Sequence, residues 1–285
     1  MDYIECCKRY DSAMKLSDSM GLNYLTNVDL DVCNYVYKQL SYIDFSRFSS
    51  GKPISLEKLI DDSVKEISLF GEDISSLVLD IVNNTLINSK VSGDITQFST
   101  CISYDKENGE VIPRGSVYSY NIPDSLYEYS VYIFSHEHLH ALKETRYLEW
   151  KDSNIIGEVI PLFYELVISS EEDILKKQLL TARLNDLFYN GCEFELTNDL
   201  IKTEKENNLY LYVRTIIGRY LNGFYYAVIL YNMYKENPVK ILGMISKVLK
   251  QEITTLELLN SLNIYGDIKG EVFEKELVNF RKRIK

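Results

Sequence analysis

The sequence predicts a mainly α-helical fold, and three observations carry that reading. Only 5 prolines and 13 glycines occur in 285 residues, too few to interrupt long helices often. Apolar residues recur at three- and four-residue spacing along most of the chain. Serine, threonine, proline and glycine stand where helix ends need them. Apolar residues make up 46% and charged residues 26%, a balance that supports a sizeable core and speaks against disorder.

The elements follow in order. Residues 1–95 read as helices. "VDLDVCNYVYKQLSYI" sets Leu30, Cys33, Val36, Tyr37 and Leu40 at helical spacing. "SLEKLIDDSVKEISLFG" opens on a capping serine, Ser55, and stops at Gly71; "EDISSLVLDIVNNTLIN" repeats the pattern. Residues 99–121 differ, with two β-like runs around Asn108-Gly109, a strong turn pair, and they predict a hairpin as the only sheet. Ser125 and Glu128 then have capping-box spacing, and the helix they start should run to about residue 145. Further helices are expected over about 153–168, from Ser170 to Gly191, over about 207–235, and from Pro238. Glu171, Glu172 and Asp173 would sit at the positive end of the second of these. Thr254 and Glu257 form another capping box, and the basic "RKRIK" suits a helix C-terminus.

A net charge of −11 argues against nucleic acid and anionic membrane surfaces as partners, since both require concentrated Lys and Arg. No apolar run approaches the roughly 20 residues needed to cross a bilayer. The acidic, polar start does not read as a secretory signal. The five cysteines are odd in number and irregularly spaced, which fits reduced thiols in a cytoplasm. Oligomeric state is not legible.

All three histidines fall in "FSHEHLHALKE". His136 and His140, four apart, share one helix face with Cβ atoms roughly 5–6 Å apart. Two such imidazoles can bind one zinc ion, with Glu137 beside it as the base that takes a proton from a bound water. This is the H-E-x-x-H arrangement of zinc peptidases. His138 lies about 200° round the helix, at about 100° per residue, and reads as a supporting or packing residue. A cluster that merely packs is the alternative; the largely apolar flanks weigh against it, because buried polar groups need partners.

With no histidine left, the third ligand must be an acid or, less readily, a cysteine. In "NIIGEVIPLFYELV", Glu158 and Glu165 are seven apart on one face of an apolar helix. Such carboxylates are costly to bury unless paired or metal-bound. One can bind zinc while the other accepts a hydrogen bond from a ligand imidazole.

"HEHLH" followed by "EVIPLFYE" resembles the thimet oligopeptidase and oligoendopeptidase F group of zinc peptidases, whose metal helix is followed by a motif of the form E-x-x-S/P-x-x-x-E. The resemblance covers about residues 100–265. It implies a helical zincin-like peptidase with a small hairpin or edge sheet beside the active-site helix. An N-terminal helical lobe would span 1–95 and a catalytic domain 96–285, packed as one unit. It implies one Zn2+ per chain held by His136, His140 and Glu158, with Glu165 as the second acid. "PRGSVYSYN" resembles the family's substrate edge, implicating Gly115 and Tyr118 in binding short peptides. "GRYLNG" places Tyr220 and Gly223 on a Y-x-x-G, implying that Tyr220, and with it Tyr212, donates to the oxyanion. The chain departs from the family at Leu139, where glycine is usual, and in having no further histidine to stand at the family's position just ahead of the tyrosines. A zinc-binding protein of impaired catalysis that binds a peptide or protein partner is therefore the alternative.

Overall fold

A computed structural model of the chain describes residues 25–44, 48–83, 86–91, 99–100, 104–107, 110–113, 118–123, 125–144, 156–203 and 208–284. The described residues are mostly helical. The first helix, α1 (Asn27–Gln39), is started by a capping box in which Thr26 Oγ1 accepts from Asp29 N and Asp29 Oδ2 accepts from Thr26 N. It buries Val32, Cys33 and Val36. Ser55 caps α2 (Leu56–Ile67), which ends in one 3-10 turn, Ser68–Phe70. Gly71 follows at φ +122°, a conformation that excludes a side chain at little cost only for glycine, and α3 (Glu72–Asn83) begins immediately after it.

The helical pattern expected to continue from α3 gives way to a strand, β1 (Leu86–Val91). It pairs in parallel with β5 (Tyr118–Pro123), and β2 (Ser99–Thr100) pairs antiparallel with the same strand. Strands β3 (Tyr104–Glu107) and β4 (Glu110–Pro113) pair antiparallel on either side of Asn108 and Gly109. Those two turn residues lie outside the described residues. The strands thus extend beyond one hairpin, because β5 offers both its edges.

The histidine helix, α4 (Ser130–Glu144), starts five residues after Ser125. The capping box expected at Ser125 and Glu128 does not form. Residues 126–129 instead pair with an earlier segment: Ile54 N donates to Leu126 O, Glu128 N to Lys52 O and Tyr129 N to Ser50 O. Glu128 Oε2 accepts from Lys52 N, so the carboxylate that would close a cap is engaged across the chain. Tertiary hydrogen bonds outweigh a local signal here.

The next helix, α5 (Val159–Ile168), is shorter at its start than expected, and every residue in it is buried. Then come α6 (Ile174–Thr203), α7 (Asn208–Glu236), α8 (Pro238–Leu249), α9 (Thr255–Ser261) and α10 (Gly270–Arg283). Asp173 caps α6 by accepting from Leu175 N and Lys176 N, and Asn237 caps α8 ahead of Pro238. Thr254 and Glu257 close a capping box on α9. No described helix is long and apolar enough to cross a membrane.

Helix α7 is the axis of the packing. It contacts α1, α5, α6, α8 and α10, while α4 lies against α2, α3, α5 and α8. Helix α5 therefore sits between the histidine helix and α7. One continuous core joins Leu59, Phe134, Phe163, Phe224 and Phe273.

Gly191 does not end α6, which runs 12 residues further to Thr203. Its role is close approach: a Cβ at that position would overlap the Tyr37 ring on α1. Overpacking costs about 1–3 kcal/mol, which outweighs the ~1 kcal/mol that alanine gains over glycine in a helix. Gly191→Ala should accordingly lower the urea midpoint of unfolding. An unchanged or raised midpoint would show that the two helices have room to spare.

Candidate metal centre

Helix α4 presents His136 and His140 one turn apart, with ring centroids at 5.0 Å. Their Nε2 atoms face each other at 3.2 Å. Glu158 approaches from the N-cap position of α5, in a helical conformation at φ −82° and ψ −7°. Its Oε2 lies 3.2 Å from His140 Nε2 and 3.4 Å from His136 Nε2. The three side chains are deeply buried, at 4%, 12% and 1% exposure in chain order. Among the described residues they form a group that can hold a metal ion.

The donor set can be tested for fit. Zinc binds imidazole nitrogen and carboxylate oxygen at about 2.0–2.2 Å in tetrahedral geometry, which places neighbouring donors about 3.3–3.5 Å apart. The three separations found are 3.2, 3.2 and 3.4 Å. The residues therefore suit a small tetrahedral cation with one position open.

Glu165, two turns along α5, lies on the far side of His136. Its Oε1 is 2.8 Å from His136 Nδ1, an ion-pair contact rather than an in-line hydrogen bond. Arg183 on α6 grips the same carboxylate with two bonds, Nε to Oε2 at 2.8 Å and Nη2 to Oε1 at 2.7 Å. Arg219 on α7 holds the Glu158 carboxylate from its other oxygen, with Nη2 3.1 Å from Oε1. Each buried acid thus has its own arginine, which offsets the cost of burial.

The electrostatics follow. Burial pushes both carboxyls up, but the neighbouring positive charges prevail. Arg183 and His136 hold Glu165 down at about 2, and His140 and Arg219 hold Glu158 well below the usual range. Burial pulls His136 down, yet the charges of Glu165 and Glu158 more than offset this and raise it to about 9. His138 is the contrast. It faces the opposite side, with Nε2 3.0 Å from Ser63 Oγ and its ring against Phe134 at 4.3 Å. Burial alone pushes it down to about 3, so it stays neutral and packs.

Glu137 follows His136 on α4 and is half-buried. Tyr220 is half-buried on α7, and its hydroxyl accepts from Arg219 Nη2 at 3.4 Å. The charge of Glu158, with burial, raises its pKa, so the hydroxyl keeps its proton. Tyr212 lies on α7 and Tyr118 opens β5, but both side chains, and Gly115 altogether, lie outside the described residues. The two arginines are what sequence reasoning did not single out. Arg219 adjoins Tyr220, and Arg183 stands three residues before Asp186 in "LLTARLNDL", a spacing that reads as a local surface pair. Each is a signal only once its partner helix is known.

Gly223 completes the site. A Cβ on it would stand 2.5 Å from Glu158 Cβ and 3.0 Å from the Glu158 carbonyl carbon. Helix α7 can therefore press on the backbone of the ligand residue only because position 223 has no side chain.

No family model, no curated protein and no solved structure matches this chain.

Two outcomes follow. Gly223→Ala displaces Glu158 and should weaken divalent-metal binding with His136 and His140 intact; undiminished affinity by metal titration would contradict the contact. Metal must also displace the proton that His136 holds up to about 9. Apparent affinity should therefore climb with pH and level off near that value, whereas a pH-independent affinity would show that the ring carries no proton to lose.

Proposed function

We propose that this chain is a zinc-dependent metallopeptidase that hydrolyses short peptides, of the oligoendopeptidase kind. The observation that supports it is the convergence of His136, His140 and Glu158 at donor separations suited to zinc, with an acid, Glu137, next to the first ligand. Bound zinc supplies Lewis acidity, polarising a substrate carbonyl and lowering the pKa of water towards about 7.

The chain's own residues do the rest. Glu137 takes the proton from the attacking water and hands it to the departing amine. Tyr220, protonated and beside Glu158, donates to the oxygen on which negative charge develops. Glu165, clamped by Arg183, contacts His136 Nδ1 and so leaves Nε2 as the metal-facing nitrogen. The pairing of α4 with a following helix that carries the acid ligand fits a zincin-like arrangement. The peptide edge expected at this strand is not offered by its first residues, because β5 is the central strand and Tyr118 and Ser119 already pair with neighbouring strands.

Glu137→Gln should retain one zinc per chain and lower hydrolysis of a quenched-peptide mixture by at least about 10²-fold. Full residual turnover removes Glu137 from the reaction. Stoichiometric zinc without turnover by the unsubstituted chain would favour the alternative, a zinc-binding protein that holds a peptide or protein partner. That second reading is motivated by the lack of any histidine beyond the three on α4, so none stands just ahead of the tyrosines of α7.

A further inference from the structure

Arg219 touches two functional groups with one nitrogen. Its Nη2 lies 3.1 Å from Glu158 Oε1 and 3.4 Å from the Tyr220 hydroxyl, and its guanidinium stacks on the Tyr220 ring at 5.2 Å. The carboxylate is divided: Oε1 belongs to the arginine, while Oε2 alone faces His136 and His140. A guanidinium has no acceptor and is charged at any working pH. It must therefore donate to both partners, and the Tyr220 oxygen accepts. The tyrosine's own hydrogen is then left to point away from the arginine.

We propose that Arg219 is a positioning residue that makes Glu158 a one-oxygen metal ligand and presets Tyr220 as a hydrogen-bond donor. This rests on the metal-centre reading above and extends it. With Oε1 turned to the arginine, coordination through Oε2 alone is favoured, which leaves a tetrahedral ion its fourth position for water. The same side chain holds the Tyr220 ring. A Lys would be a poor substitute, since a compact ammonium cannot both hold the carboxylate and reach over the ring.

The test uses the full chain. Zinc affinity is measured by competition with a chromogenic chelator, and cobalt(II) reports coordination number through its visible spectrum. Arg219→Gln should weaken zinc binding by about tenfold or more. It should also convert the intense bands of four-coordinate cobalt into the weaker ones of a five-coordinate ion. Arg219→Lys should recover part of the affinity, because it returns a cationic donor. Arg219→Met keeps the stem that packs on Tyr220 and serves if the Gln variant does not fold. Zinc affinity and cobalt spectra indistinguishable from the unsubstituted chain would overturn the proposal, provided that His136→Ala abolishes binding. Zinc binding that survives His136→Ala would instead overturn the metal centre itself.

Discussion

Two imidazole nitrogens and a carboxylate oxygen are held 3.2–3.4 Å apart where water has little access, and the surrounding structure is arranged around that constraint. Glu158 and Glu165 are each 1% exposed. A buried carboxylate without a partner costs several kcal/mol. Here each is met by a histidine on one side and an arginine on the other. The two neutral rings cannot both turn lone pairs towards one point unless something positive lies between them. The negative charge of Glu165 and the contact with Glu158 favour a proton on His136. A divalent cation could fill that place as well, since the three donor atoms lie close enough to share one ion.

The helices reach these positions through close packing. Helix α5 is buried on every side, so its single face of acids has nowhere to go but into the site. Helix α7 supplies Arg219, Tyr220 and Gly223 within five residues, and the glycine allows it to lie directly on Glu158. Helix α6 adds Arg183 from a third direction. The clamp is therefore tertiary: three separate helices must be in place before either carboxylate is neutralised. Any metal bound at this group would thus be coupled to the packing of α4 through α7.

How much could be read from the chain alone varied with the range of the forces involved. The histidine pair was legible because i, i+4 spacing on a helix is a local geometric fact. The acids were legible as a charge on an otherwise apolar helix, though choosing Glu158 as the ligand took a resemblance to a known motif. The caps at Thr254 and Asn237 are short-range, and the elements they start lie where the sequence places them. Ser125 had the same local signal but lost it to a ladder with residues 50–54, more than 70 positions away. Gly191 looked like a stop because glycine weakens helices, yet its purpose is to admit the Tyr37 ring. Strand β1 was missed for the same kind of reason: its parallel partner, β5, lies about 30 residues on. Neither arginine could be assigned a partner from sequence, since each reaches a carboxylate on a different helix.

The most direct measurement is a crystal structure of the chain grown with zinc, with anomalous scattering recorded at the zinc edge. One ion should lie at about 2.0–2.2 Å from His136 Nε2, His140 Nε2 and Glu158 Oε2, with Glu158 Oε1 still on Arg219. An anomalous peak elsewhere, or none, with Glu158 turned away from the two rings, would contradict the metal centre and the peptidase reading built on it.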